Sequence, residues 1–363
     1  MPLLVDRGSD PRIAKAAAGC VEIGLVNNMP DSALEATERQ FIALLEAACG
    51  DVRVRLRFFS LPGVPRSERG QRHVDKFYRG LRELPDSNLD ALIVTGTEPR
   101  ASSLRTEPYW YWLAELIDWA EHNTVSTVWS CLAAHAAVLH LEGIARHPLP
   151  DKCFGVFDCT PAGDHPLTAG SARMPVPHSR WNELREDELR ARGYAVLTRS
   201  AEAGVDMFAR PGRSLFVFLQ GHPEYDALSL FGEYRRDFGR FLRGERDTCP
   251  NLPHGYFDAA ATEQVAGLRA RALRDRREEL LAELPVVTVE QSLRAHWRPA
   301  AERLYANWLA EVTALKSRRA GAVARDASAA LATRPAAFAE RRRRSDPSGY
   351  FTGPRDRRVP ARA

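Results

Sequence analysis

The stretch STVWSCLAAHAAVLHLEGI, residues 126–144, reads in two halves that meet at one cysteine. Ser126 to Ser130 has the length and apolar character of a buried strand, and Leu132 onward is an Ala- and Leu-rich helix former. Cys131 falls at the junction. There its sulfur projects at the strand tip while the first helical N–H groups point toward it, an environment that stabilises anions and lowers a thiol pKa. Strand, sharp turn and helix around a nucleophilic side chain form the arrangement of a nucleophile elbow. A structural cysteine at a strand end is the competing reading of this stretch taken alone.

Similar pairs of elements lie on both sides of it. Val21 to Asn28 (VEIGLVNN) is a β-branched run that stops at Asn27, Asn28 and Pro30, and helical spacing follows from Ala33 to Ala48. Val52 to Leu61 alternates apolar and basic residues, which predicts a half-exposed strand, and a polar stretch rich in Pro, Gly and Arg continues to about Asp90. Ala91 to Gly96 (ALIVTG) predicts a buried strand and Tyr109 to Asn123 an amphipathic helix. Strands alternating with helices imply an α/β fold, a parallel sheet with helices on both faces, whose ligand site lies beyond the C-terminal ends of the strands. After Gly155 the order is less regular, with strand candidates in PVPHSRWNEL, YAVLTRS and SLFVFLQ before a helix that begins near Asp226.

Composition sets the outer limits. The 363 residues are 44% hydrophobic and 9% aromatic, a globular balance with enough apolar mass for a sizeable core. The formal charge of +4 is unevenly spread, because the segment from Lys316 to Ala363 is rich in Arg and leaves the body before it net acidic. We therefore expect one α/β domain over residues 1–316 and a basic Ala/Arg/Pro-rich tail over 317–363, mobile apart from a candidate helix at Ala327 to Ala339. Arg341 to Arg344 could meet nucleic acid, yet no nucleic-acid fold signature or interleaved aromatic accompanies them, so a solvated tail is the expectation. An export signature and an apolar run of about 18 residues are both missing, which leads to an expected cytoplasmic location without a membrane span. The six cysteines, Cys20, Cys49, Cys131, Cys153, Cys159 and Cys249, make no CxxC pair and no Cys/His zinc spacing, so no metal is expected.

A second stretch, FLQGHPEYDALSL at residues 218–230, bears on Cys131. His222 and Glu224 directly follow an apolar strand, where a turn needs no imidazole and a helix start would be served by Ser or Asp. A parallel sheet brings both to the same edge as Cys131. A thiolate nucleophile needs a base that moves protons, and the base needs a carboxylate to fix its tautomer. His135 and His140 lie on the helix behind Cys131 and are expected to be packing or surface residues.

The set GLVNNMP, LIVTGTEP, VWSCLAAHAA, DKCFGVF, VPHSRW, GHPEYD and LYANWL, in this order from about Val21 to Leu309, resembles the homoserine O-acyltransferases related to class I glutamine amidotransferases, also called homoserine O-succinyltransferases. The resemblance implies a flavodoxin-like, class I glutamine amidotransferase-like sheet. It implies Cys131 as the residue that forms an acyl-thioester, His222 as general base and Glu224 as its orienting partner. Lys152, Ser179 and Arg236 match substrate-binding positions, and a guanidinium at Arg236 could clamp an amino-acid carboxylate through two parallel hydrogen bonds. Arg235 beside it points about 100° away on a helix, so only one of the two can face the pocket. Arg100 falls at the position that biases the acyl donor, with Glu98 as its alternative, and succinyl is favoured over acetyl.

The implied reaction is ping-pong O-acylation of L-homoserine by succinyl-CoA or acetyl-CoA, a first step toward methionine. The partners are small molecules, no cofactor is bound, and a homodimer is the assembly left open. Two rivals share the fold. A glutamine amidotransferase-type hydrolase would use the same triad but flanks its cysteine as Gly-x-Cys-x-Gly, where this chain has Trp129 and Ala133. A non-catalytic module would leave the triad vestigial.

Overall fold

The computed structural model describes residues 2–8 and 19–332, with the backbone alone over 323–332. The elements, in order, are β1 (Leu3–Asp6), β2 (Val21–Val26), α1 (Asp31–Ala48), β3 (Val54–Ser60), α2 (Glu68–Phe77), β4 (Arg79–Gly80), β5 (Ala91–Val94), α3 (Trp110–Asn123), β6 (Ser126–Ser130) and α4 (Leu132–Glu142). They continue as β7 (His147–Pro161), β8 (Met174–Glu183), α5 (Glu186–Ala191), β9 (Ala195–Ser200), β10 (Gly204–Arg210), β11 (Leu215–Leu219), α6 (Ser229–Leu242), α7 (Ala259–Arg274), α8 (Val286–Ser292) and α9 (Arg298–Ala332).

The sheet runs in the order β1-β3-β2-β5-β6-β11-β10-β9-β7-β8, with β4 beside β3. From β1 to β11 every neighbour pair is parallel. The core order β3-β2-β5-β6-β11 is the flavodoxin-like 2-1-3-4-5 arrangement, so the strand ends carrying Cys131 and His222 are adjacent. Side chains alternate across it. Val128, Val217 and Leu219 face one core with residues of α1 and α9, including Leu304, Tyr305 and Trp308. Trp129, Phe216 and Phe218 face the other with α3 and α4. A third core joins α6, α7 and α8 to Phe154, Val156 and Tyr225.

Three expectations need correction. The sheet is parallel only in its first half, because β10, β9, β7 and β8 pair antiparallel. The strand expected to be half-exposed, β3, is almost wholly buried, since β1 takes the edge position. Its basic residues are matched inside the fold: Arg57 reaches Glu22 at 2.5 Å and Asp6 at 3.6 Å, and Arg55 lies 3.7 Å from Glu22. Burial of these charges is tolerable because each has a counter-charge. The polar stretch before Asp90 contains α2, whose N-cap Ser67 accepts a hydrogen bond from the Gly70 N–H at 3.2 Å.

The chain divides into two units, Met1–Arg318 and Arg319–Ala363. Helix α9 passes through the expected boundary at Lys316 and is continuous to Ala332. The remainder of the expected tail, including Arg341 to Arg344, lies outside the described residues. No helix among the described residues is long and apolar enough to cross a membrane.

One glycine holds the antiparallel half against the helical cap. Gly155 has φ +140°, and a Cβ there would stand 2.3 Å from the backbone N and O of His254. The close approach lets His254 bond Phe154 and Val156 on either side, at 2.9 and 2.7 Å. Gly155→Ala is expected to destabilise the fold by about 3 kcal/mol through backbone strain and overpacking. A wild-type midpoint in urea denaturation would show instead that the His254 segment yields freely.

Candidate active site

Cys131 is the N-cap of α4 and adopts φ 52°, ψ −113°, a conformation that L residues rarely hold. The surroundings enforce it. Its N–H donates to the Leu219 carbonyl at 2.7 Å, and its carbonyl accepts from Ala134 at 3.0 Å and His135 at 3.3 Å. Such strain, about 1–3 kcal/mol, is typical of a side chain presented at a sharp strand-to-helix turn. Cys131 is half-buried and free, so it is not sealed inside the core.

His222 emerges three residues after β11 and is 6% exposed. Its backbone is fixed by donation to the Pro177 carbonyl at 2.7 Å. Nδ1 lies 2.9 Å from Glu224 Oε1, so the carboxylate accepts and the proton sits on Nδ1. Nε2 is then the nitrogen left for Cys131, which lies near enough for its charge to act on the ring. Burial alone would pull the imidazole pKa down. The charges of Cys131 and Glu224 and the hydrogen bond to Glu224 outweigh it and hold the pKa well above the usual histidine value. The Tyr225 ring stacks on His222 with centroids 4.4 Å apart.

Glu224 is itself buried, and among the described residues its second oxygen, Oε2, has no hydrogen-bond partner. The Tyr305 hydroxyl on α9 is likewise buried and unpartnered, and burial first, then the charge of Glu224, push its pKa up. The LYANWL segment thus packs behind the carboxylate of the triad.

The other expected residues form a second cluster. Lys152 on β7 bonds Glu233 Oε2 at 3.2 Å and Asp237 Oδ2 at 3.1 Å, and its ammonium lies 4.2 Å from the Phe154 ring centroid. Ser179 on β8 donates to Glu233 Oε2, and Tyr225 Oη donates to Glu233 Oε1 at 2.6 Å. Burial would raise the Glu233 pKa, but the Lys152 charge and the two hydroxyl donors hold it below the usual carboxylate range. Arg236 is joined to Asp237 at 3.2 Å and keeps its guanidinium partly exposed. Glu233, Arg236, Asp237 and Arg240 follow helical i, i+3, i+4 and i+7 spacing, one face of α6. Arg235 is exposed and belongs to another face.

Glu233 and Tyr225 are the members that sequence reasoning missed. Tyr225 stood in the quoted stretch at residues 218–230, and the i, i+3 spacing of Glu233 to Arg236 was a usable signal. Through Tyr225, which stacks on His222 and bonds Glu233, the two clusters are one site. Arg100 is exposed, and its backbone N–H is held by Glu107 Oε1 at 2.6 Å. His135 is buried and bonds Gln220 at 3.0 Å, while His140 pairs with Asp118 at 2.8 Å, so both are structural.

Strand ends beside the elbow are tied together. Asn28 donates through its N–H to Thr95 Oγ1 at 2.8 Å and through Nδ2 to the Thr95 carbonyl at 3.0 Å. A Cβ on Gly96 would stand 3.0 Å from the Leu132 N, so glycine lets this loop pass close to the first turn of α4. Beneath His222 lie three buried groups, Cys159, His178 and Asp206, whose donor atoms are within 4.8 Å of one another. This donor set could hold a metal in size. Burial pushes the Cys159 thiol pKa up, which favours the protonated form over a ligating thiolate, and Asp206 already accepts from Thr198 at 2.8 Å and faces His178 at 3.3 Å.

The family model described as homoserine O-succinyltransferase matches residues 9–317. The homoserine O-succinyltransferase of Rhodopseudomonas palustris is 52% identical over 309 residues, 85% of this chain and 93% of that one. That of Bradyrhizobium japonicum is 51% identical over 312 residues, 85% and 94% of the two chains. Among solved structures, a glutamine amidotransferase from Thermotoga maritima aligns with 82% of this chain and 99% of its own at 12% identity and TM-score 0.43. A glutamine amido transferase from Methylobacillus flagellatus aligns with 81% and 96% at 15% identity and TM-score 0.45. The family model and these relatives span the elbow, the His222 turn and the α6 cluster together, and the chain belongs to the homoserine O-succinyltransferase family.

Proposed function

We propose that the protein transfers the succinyl group of succinyl-CoA to the hydroxyl of L-homoserine through a Cys131 acyl-enzyme. The observation that carries the reading is the buried chain of contacts from Glu224 through His222 to the Cys131 side chain, at the edge of the Glu233 cluster. In the first half, the Cys131 thiolate attacks the thioester carbon, the bond from that carbon to the CoA sulfur breaks, and the His222 imidazolium protonates the departing CoA. In the second, the homoserine hydroxyl gives its proton to His222, its oxygen bonds the acyl carbon, and the bond to the Cys131 sulfur breaks to restore the thiolate. The first N–H groups of α4, on Leu132 and Ala133, are suited to hold the oxyanion of each tetrahedral state.

The acceptor is a zwitterion, and the second cluster has groups of both signs to meet it. The carboxylate of Glu233 suits the ammonium, and the partly exposed fork of Arg236 suits the carboxylate. Lys152 and Ser179 hold Glu233 in place, and an ammonium bound there would leave the hydroxyl to reach toward His222. The acyl-CoA is a co-substrate, no step calls on a bound cofactor or metal, and the cytoplasm supplies both substrates.

The test is release of CoA thiol and formation of O-succinylhomoserine, measured with succinyl-CoA and homoserine and with each alone. Release of ammonia from glutamine without acyl transfer would replace this reading with the hydrolase. Arg236→Ala should raise the KM for homoserine about 10- to 100-fold, the value of a charge-assisted bond, while the rate of acyl-enzyme formation stays unchanged. An equal loss in both half-reactions would remove Arg236 from the acceptor site.

A further inference from the structure

Near Cys131 two donors stand without partners among the described residues. Arg146 ends the turn between α4 and β7 and is half-buried, yet among the described residues its guanidinium makes no ion pair and no hydrogen bond. Tyr109, at the start of α3, is 2% exposed, and its hydroxyl is buried with no hydrogen-bond partner. Arg146 lies near enough to Tyr109, Cys131, Glu107 and His135 for its charge to act on each. Burial lowers its pKa, and Tyr109, Cys131 and Glu107 raise it in return. Glu107 makes no ion pair with it among the described residues, and its Oε1 accepts from the N–H groups of Arg100 at 2.6 Å and Ala101 at 2.7 Å.

A half-desolvated guanidinium with no ion pair in contact is costly, and a buried phenol with no acceptor adds to the cost. Native proteins leave such groups open where a ligand completes them. Both needs are met by one carboxylate, which accepts from a guanidinium fork and a hydroxyl at the same time. A succinyl group bound as a thioester at Cys131 carries such a carboxylate two methylenes beyond the reacting carbon, and the Arg146 charge acts on Cys131.

We propose that Arg146 and Tyr109 form the receptor for the distal carboxylate of the acyl group, and that they, rather than the exposed Arg100, select a dicarboxylic monothioester as acyl donor. The proposal rests on the acyl-enzyme reading above. Arg146 and Tyr109 would be specificity residues that touch the substrate without moving protons. The loop from Arg100 to Glu107 would act through Glu107, which braces its backbone beside the receptor. Phosphate groups of CoA are the other anions that Arg146 could meet.

The experiment compares kcat/KM for succinyl-CoA with the inhibition constant of CoA, in wild type, Arg146→Gln, Arg146→Lys, Tyr109→Phe and Arg100→Ala. Loss of the charged bond should lower kcat/KM for succinyl-CoA roughly 10- to 100-fold in Arg146→Gln and about tenfold in Tyr109→Phe. The CoA inhibition constant should stay at the wild-type value, Arg146→Lys should recover part of the loss, and Arg100→Ala should behave as wild type. A parallel weakening of succinyl-CoA and CoA would assign Arg146 to the phosphates and overturn the proposal. An unchanged kcat/KM in both Arg146→Gln and Tyr109→Phe would also overturn it. Tyr109→Phe, which removes one oxygen, decides the matter if Arg146→Gln does not fold. Failure of the wild type to form any acyl-enzyme would instead sink the reading on which this one stands.

Discussion

Cys131→Ala is expected to lower turnover by at least about 10⁴-fold and to abolish the mass gain that intact-protein mass spectrometry should record after brief exposure of wild type to succinyl-CoA without homoserine. The size of the effect follows from the chemistry, because without the sulfur no acyl group can leave CoA before the acceptor attacks. A Cys131→Gly variant supplies a control on folding. It is equally inactive but relieves the backbone held at φ 52°, so its stability should rise by about 1–2 kcal/mol relative to Cys131→Ala. Retention of wild-type turnover in Cys131→Ala would exclude the acyl-enzyme. An adduct of unchanged yield in that variant would place the acyl group on another residue.

The second large effect is expected for Glu224→Gln, a fall in kcat of about 10²- to 10⁴-fold with little change in the KM for homoserine. Glutamine keeps the shape but removes the charge, and its amide can present a donor to Nδ1 and turn the ring toward the wrong tautomer. The carboxylate charge and hydrogen bond both raise the His222 pKa. Their removal therefore lowers it, and the imidazolium is lost at a lower pH as pH rises. The basic limb of kcat/KM for succinyl-CoA should accordingly move to lower pH in the variant. A basic limb that stays in place would mean that Glu224 does not act through His222. Because Oε2 of Glu224 has no hydrogen-bond partner among the described residues, the substitution should cost little stability, and thermal melting separates the two effects.

The candidate site was legible because its signals are local. A strand, a cysteine and a helix start are contiguous in residues 126–144, and His222 and Glu224 lie two residues apart after another strand, so parallel pairing of those strands was enough to bring the three together. Local pattern also explains one misreading. Alternating apolar and basic residues in β3 look the same whether the arginines meet water or buried carboxylates, and their partners Glu22 and Asp6 are far away in sequence. Glu233 was missed for a similar reason. Its importance depends on Lys152 and Ser179, carried by two strands that reverse direction and return to α6.

By itself, then, the sequence determined the α/β class and put forward a cysteine, a histidine and a glutamate as candidate nucleophile, base and orienting carboxylate, since these follow from hydrophobic periodicity and from chemistry fixed within a few residues. The tertiary structure alone decided where buried charge is matched, which face of α6 meets the substrate strands, and which donors near Cys131 stay unpaired. Those properties are set by distances between segments remote along the chain, and the energy of a charge depends on what surrounds it in space.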